Sequence, residues 1–404
     1  MAARAARADS GAVVIADARI YPAPDAAPIE HGVVVIRDGK IIAVGRAGAV
    51  QIPKGAQHID AHGATVVAGF WNSHIHLMLP DMIDAETKSS AVLDKAFETM
   101  LTRWGFTTVF DISSDLKNTG ILRRRIGSGE VDGPEILTTG NAFFPEHGTP
   151  IYVKDFLVEH HVPSMEVQTP EEAAARAARQ LDEGADGVKI FAAAVVDAVD
   201  GDRTALPMRL DIARAVVDEA HRRGKPAFAH PSNFAGLNVA IDSGVDVLAH
   251  TTPAAPWTPE LVKRIREHGM ALTPTLTLFD VELSKAKASP AATAHVLETA
   301  VSEVKAYSDA GGQILFGTDV GYTQAFDTTE EYQLMGRALD WRAILKSLTT
   351  APAERFGFGE RKGRVAEGMD ADLVVLDADP ATDVTAFAKV RTTIRGGRVI
   401  YERK

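Results

Sequence analysis

The chain has 404 residues, 46% apolar and 24% charged, which excludes disordered and collagen-like classes and leaves room for a large core or two domains. Its net charge of −11 has the wrong sign for a polyanion binder, so nucleic acid and anionic membrane are not expected partners. There is no cysteine, which excludes disulfides, thiolate nucleophiles and thiolate-held metals and leaves His, Asp, Glu or a less usual group as metal ligands.

The first 70 residues alternate short apolar runs with turn signals: 13–16, 32–37, 40–44, 58–60 and 65–67. Valine and isoleucine at period two, broken by the hairpin dipeptide Asp38-Gly39, predict an antiparallel sheet. From about 67 to 359 a different unit repeats, in which a helical stretch ends in glycine and a short apolar strand follows. The clearest copies are EGADGVKIF, RRGKPAFAH, DSGVDVLAH, EHGMALTPT and DAGGQILFGTD. Gly184, Gly224, Gly244, Gly269 and Gly311 fit helix ends, because glycine accepts the left-handed conformation required there. Thr169-Pro170-Glu171-Glu172 and Thr258-Pro259-Glu260 fit helix starts, each with a capping hydroxyl followed by proline at the first helical position. With earlier strands around 108–112 and 136–139, about eight strands alternate with helices, the size of a (β/α)8 TIM barrel. The last residues return to alternating strands at 372–377, 390–395 and 398–401, with a turn at Gly396-Gly397. The expected fold is therefore α/β: a barrel over 67–359, and a small β-sandwich domain composed of 1–66 and 360–404.

Several strands end in residues that packing alone would not choose. The first ends in Ser73-His74-Ile75-His76, the fourth in Lys189, the fifth in His230, the sixth in His250 and the eighth in Asp319. Parallel strands bring such residues together at the C-terminal face, where barrels of this kind place their chemistry. Alternation puts His74 and His76 on one side and Ile75 on the other. As a set they would be costly desolvated groups unless a metal or one another satisfied them. Lys189 discriminates further, because an unmodified ammonium repels a divalent cation. Reaction of its amine with CO2 would give an anionic, two-oxygen carbamate. The amine must first be neutral, at a cost of roughly 4–5 kcal/mol at pH 7 from an ordinary lysine. The alternative is a structural lysine paired with an acid such as Asp186.

GFWNSHIHL, Lys189 in GADGVKIF, His230, His250 and GTD with Asp319 resemble the metal-dependent amidohydrolase superfamily over essentially the whole chain. The lysine places the resemblance in the binuclear branch, with prolidase-like and N-acyl amino acid hydrolase-like enzymes. FWNSH departs from the GFID-type wording common before the histidine pair. The resemblance implies one divalent ion, zinc first among the candidates, on His74, His76 and Asp319, and a second on His230 and His250. Carboxylated Lys189 and a hydroxide would bridge them. It also implies hydrolysis of the amide C–N bond of a dipeptide, N-acyl amino acid or similar small amide, with the hydroxide attacking and Asp319 carrying the proton.

A cyclic amide or amidine hydrolase (imidazolonepropionase-like) and a deaminase are the alternatives, although His230-Pro231-Ser232-Asn233-Phe234 lacks the acid that deaminases carry there. A non-catalytic scaffold would not need every ligand. Specificity is expected in the loops. The long segment 141–168, with Phe143, Phe144, Tyr152, Phe156 and His161, suggests an aromatic-lined entrance. Arg203 is a candidate clamp for a substrate carboxylate, and Asn233, Thr275 and Tyr322 are candidates by position. The expected partner is a small molecule, with self-association left open. No run of about 20 apolar residues occurs and the start MAARAARADSG lacks an apolar signal region, so a cytoplasmic chain is expected; a periplasmic or secreted form with its signal peptide removed would read the same.

Overall fold

The computed structural model describes residues 11–159, 164–197 and 203–404. In chain order the strands begin with β1 (Val13–Ile20), β2 (Ile29–Arg37), β3 (Lys40–Arg46), β4 (Gln57–Asp60) and β5 (Thr65–Ala68). The middle carries β6 (Phe70–Ile75), β7 (Phe106–Asp111), β8 (Glu135–Thr138), β9 (Val188–Phe191), the hairpin β10 (Ala193–Asp197) and β11 (Arg203–Pro207), β12 (Ala227–His230), β13 (Val247–Ala249), β14 (Ala271–Thr273) and β15 (Gln313–Ile314). The chain finishes with β16 (Leu373–Leu376), β17 (Val390–Arg395) and β18 (Arg398–Glu402).

The two ends of the chain hydrogen bond into one eight-stranded sheet in the order β18-β17-β16-β5-β1-β2-β3, with β4 also on β1. Asp38-Gly39 and Gly396-Gly397 turn its hairpins with positive φ at both positions (50° and 76°; 53° and 75°), the backbone that a two-residue hairpin needs. The sheet is not purely antiparallel as expected, since β4 and β5 run parallel to β1. After β3 the chain crosses back to the other side of β1 and so re-enters in the same direction. Alternation then separates the faces: Val34 and Ile36 pack with Ile15, Val66, Leu373 and Val375, whereas Val33 and Val35 pack with Val14 and Val50. Val67 and Val374 face away from that first cluster and join the large core of the middle segment.

The middle strands form a three-stranded parallel sheet, β6-β7-β8, and a five-stranded parallel sheet, β15-β14-β13-β12-β9. Backbone bonds tie the two sheets at both margins: Ser73 N to Phe316 O (2.7 Å) and His76 N to Val320 O (2.8 Å) on one side, Asp186 N to Thr138 O (2.6 Å) and Phe143 N to Lys189 O (2.8 Å) on the other. Asn72, in the stretch that departs from the family wording, adds a side-chain tie to Thr318 Oγ1 at 2.8 Å. Trp71, Phe110, Phe228, Val247, Ala271 and Leu315 from both sheets share one interior.

Helices cover the outside, with the expected punctuation. Gly184, Gly224, Gly244, Gly269 and Gly311 all have positive φ, and the Thr169 and Thr258 hydroxyls accept from Glu172 N and Leu261 N. Two elements were not expected. The segment 141–168 contains a helix over Ile151–Glu159, and the loop after Lys189 is the β10–β11 hairpin. Among the described residues no helix is long and apolar enough to cross a membrane.

Candidate metal centre

Lys189, His230, His250 and Asp319, with both histidines of the HxH pair, lie at the C-terminal ends of the parallel strands and line one cavity of about 430 Å3. Strand parity explains part of this. In β9, Val188 and Ile190 enter the outer core while Lys189 faces the cavity, and in β12 Phe228 and His230 share the inner side. In β6 a register break between Asn72 and Ile75 resets the alternation, so both histidines face inward and Ile75 packs outward.

Parity would send His250 outward, behind Leu248. Its φ of +77° turns it back into the cavity, and Asp319 is likewise held at φ +58°. Such conformations cost on the order of 1–3 kcal/mol in a non-glycine residue and persist where the surroundings enforce them.

His74, His76 and Asp319 form a group of metal-holding geometry, with ligand atoms within 4.8 Å of one another. Asp319 Oδ1 lies 3.1 Å from His74 Nε2 and 2.8 Å from His76 Nε2, and Oδ2 lies 3.8 Å from His250 Nε2. The hydrogen-bond network assigns two tautomers. His76 Nδ1 meets Ser113 O at 3.2 Å and must donate to it, which leaves Nε2 bare. Thr275 Oγ1 gives its own proton to Pro274 O (2.8 Å), so His250 Nδ1 donates to Thr275 Oγ1 (2.6 Å) and its Nε2 is bare as well. Two lone pairs thus converge on one carboxylate. That arrangement is repulsive unless a cation sits among them, so the donor set fits a metal.

The protonation states agree. Burial lowers His74 to about 4 and His230 to about 3, with Lys189 pushing His230 in the same direction, and burial takes His250 well below its ordinary value. Burial opposes the charge on Asp319, and its carboxyl lies well below the usual carboxylate range only with positive charge on the side that His74 and His76 face, the place a bound cation would fill. Neutral imidazoles and an ionised carboxylate are the forms that bind metals.

Lys189 is fully buried, and among the described residues no carboxylate lies within 4 Å of its ammonium. The structural pairing with Asp186 is absent, because Asp186 faces Arg123 at 3.0 Å and Lys225 at 3.9 Å. Burial lowers Lys189 to about 7, partly offset by Asp319, so the neutral amine that carbamate formation needs is far more accessible than in an ordinary lysine.

The candidate substrate contacts divide. Tyr152 and Tyr322 line the cavity with their rings 5.4 Å apart, and Tyr152 Oη lies 3.4 Å from His230 Nε2. Phe144 and Phe156 line it too, whereas Phe143 is core. Arg203 is exposed on β11 and is no part of the lining. Asn233 caps the helix Phe234–Ser243 by accepting from Gly236 N at 2.9 Å, a role that its place before an apolar run already signalled. Thr275 orients His250 instead of touching the cavity. His161 lies outside the described residues. Asn141, Asp84 and Glu282 also line the cavity, although in the sequence all three have the look of ordinary turn or helix-surface residues.

Comparison with known proteins agrees with this geometry. The amidohydrolase family profile matches residues 65–400. The ochratoxinase of Aspergillus niger is 24% identical over 434 residues, spanning 98% of this chain and 88% of that protein, and its crystal structure superposes with a TM-score of 0.77 over 97% of this chain and 96% of that one at 20% identity. A Xaa-Pro dipeptidase with bound methionine in its active site is similar at TM-score 0.81, 21% identity, 97% of this chain and 100% of that one. Phenylurea hydrolase B is similar at TM-score 0.78, 20% identity and 96% of each chain. These solved structures carry the fold, and the sequence profile carries the family: the chain belongs to the amidohydrolase family, as an enzyme acting on carbon–nitrogen bonds.

Proposed function

We propose that the chain is a metal-dependent hydrolase that cleaves the C–N bond of a small amide at the open end of a (β/α)8 barrel. The barrel would span 67–359, and 1–66 with 360–404 would form the composite β domain. Backbone bonds at both margins and a shared interior support the barrel. The observation that carries the activity is the convergence of bare His76 and His250 nitrogens on Asp319 beside a buried Lys189 that has no ion-pair partner among the described residues.

His74, His76 and Asp319 would hold one divalent ion and His230 and His250 a second, with Lys189 as a carbamate between them. Nitrogen and oxygen donors without thiolate suit zinc, with cobalt and manganese as substitutes. When bound, such ions supply a nucleophile from water near neutral pH and polarise a carbonyl oxygen. Asp319 holds and moves the proton, taking it from the attacking water and delivering it to the leaving nitrogen. Its low basicity favours the second transfer.

The test is metal analysis of the purified chain alongside Lys189→Ala. Wild type should hold about two divalent ions per chain and hydrolyse small amides. Lys189→Ala should lose at least half of that metal and about a hundredfold or more in turnover, with partial rescue by added small carboxylates. A fully metallated, active variant would remove the carbamate. Wild-type protein without metal and without metal-stimulated hydrolysis would remove the hydrolase.

A further inference from the structure

The cavity walls carry information that the strand-end cluster does not. Leu77, Ile83, Phe144, Phe156, Leu157 and Leu278 make most of the wall apolar. Its charged side chains are Asp84, Asp115, Glu282 and Asp319, and among the described lining residues the sole cation is Lys189, at the strand ends. Lys285 lies outside the lining, ion-paired with Glu282 at 2.8 Å and 5.0 Å from the centre of the Tyr322 ring. The segments 160–163 and 198–202 lie outside the described residues; the first contains His160 and His161 and the second Asp200 and Asp202, and neither contains Lys or Arg.

Among the described residues, a substrate carboxylate along this wall would therefore meet carboxylates and apolar side chains and, away from the strand ends, no cationic partner, which makes its desolvation unfavourable. The strand-end position itself must be left to the scissile carbonyl.

The polar side chains along the wall are mostly committed. Ser114 accepts from Leu77 N (2.8 Å) and donates to Asp111 (2.5 Å); Asn118 accepts from Ala85 N (2.9 Å) and donates to Met82 O (2.9 Å); Asp115 accepts from Asn118 N (2.8 Å). Asn141 differs. Its backbone carbonyl is held by Gln180 Nε2 at 3.1 Å, which fixes its place just after β8, yet its side-chain Oδ1 is buried with no partner. A buried amide acceptor left open is costly unless a ligand fills it.

Building on the amide-hydrolase reading, we propose that the cavity takes an uncharged, largely apolar amide without a free carboxylate beside the scissile bond, and that Asn141 makes the hydrogen bond that orients the substrate amide. This narrows the expected substrates away from dipeptides and N-acyl amino acids. The missing Arg203 clamp and the acidic wall are two sides of the same selectivity.

The experiment uses the metal-loaded full chain and two compounds that differ by one group, N-benzoyl-phenethylamine and N-benzoyl-phenylalanine. The neutral compound should show about tenfold or higher kcat/KM and tighter calorimetric binding. Equal or better hydrolysis or binding of the acid overturns the proposal. If neither is cleaved, the calorimetric ranking alone decides this proposal, while the hydrolase reading is decided separately by metal content and metal-stimulated hydrolysis; binding of neither overturns the proposal too. Asn141→Ala should lower kcat/KM for the neutral amide about tenfold with metal content and melting temperature unchanged. Unchanged kcat/KM, or a loss that follows lost metal, removes the role of Asn141.

Discussion

His250, Thr275 and Asp319 carry φ values of +77°, +49° and +58°, and the three are linked through His250, whose Nδ1 meets Thr275 and whose Nε2 faces Asp319. In His250 the left-handed backbone aims a side chain that simple alternation would misdirect. Asp319→Asn keeps the shape and removes the charge. It should retain the metal bound through the histidines, with turnover down by about a hundredfold or more, as single-turnover kinetics and metal analysis would show; a wild-type rate would end the proton-carrier role.

Glu303 offers a second test away from the centre. One oxygen accepts from Thr252 N at 2.9 Å, the other is buried without a partner, and burial raises its pKa to about 8. Since the folded pKa lies above the unfolded one for an acid, the folded state binds more protons between about pH 4.5 and 8, and stability falls as pH rises through that window. Glu303→Gln should flatten that slope and equal or exceed wild type by about 1–3 kcal/mol at pH 8 in denaturant titrations. A slope unchanged by the substitution would contradict it. At this scale His74, His76, Lys189, His230, His250 and Asp319 were legible as strand-end polar residues. Asn141 was not, because an asparagine after a glycine reads as a turn and its open acceptor is visible only in three dimensions.

The strand ends are kept in place by the segments that follow them. Gly321 has φ +102°, and a Cβ there would collide with the His76 carbonyl and press on Met100. The turn after Asp319 therefore lies directly against the backbone of the first strand, which couples the last ligand to the first pair. Gly321→Ala should destabilise the protein by about 2–4 kcal/mol and weaken metal binding, measurable by thermal unfolding and metal titration; an unperturbed metal affinity would show that the two strand ends are independent. Glycine helix ends and Thr-Pro helix starts were readable because each encodes a local backbone requirement. The helix Ile151–Glu159 was hidden, since it buries only Leu157 and so lacks a wide apolar stripe. The parallel entry of β4 and β5 was hidden for another reason: strand direction depends on how the chain crosses back, and alternation is the same in both senses.

The molecule separates chemistry from anchorage along one axis. The C-terminal ends of the parallel strands hold the histidines, while the opposite ends are fastened to the eight-stranded sheet. Glu135, at the start of β8, meets Lys362 at 2.9 Å and Arg361 at 3.1 Å, Lys362 pairs with Asp372 just before β16, and Asp132 meets Arg398 of β18 at 2.7 Å. Changes in the cavity walls can accordingly alter specificity without loosening the anchorage. Composition foresaw the size of the molecule and the absence of thiolate ligands, and the return of strand patterns at both ends foresaw a shared sheet. Its order and register came only from pairing. That pairing also dictates a timetable. Val66 of β5 bonds beside Val375 of β16, 309 residues further along the chain. At a synthesis rate of about 5–20 residues per second, the flank of β5 waits roughly 15–60 s on the ribosome for its partner. During that interval it is an unpaired valine-rich edge, so a step exposed to aggregation during biosynthesis is completed late, after the last metal ligand, Asp319, has been synthesised.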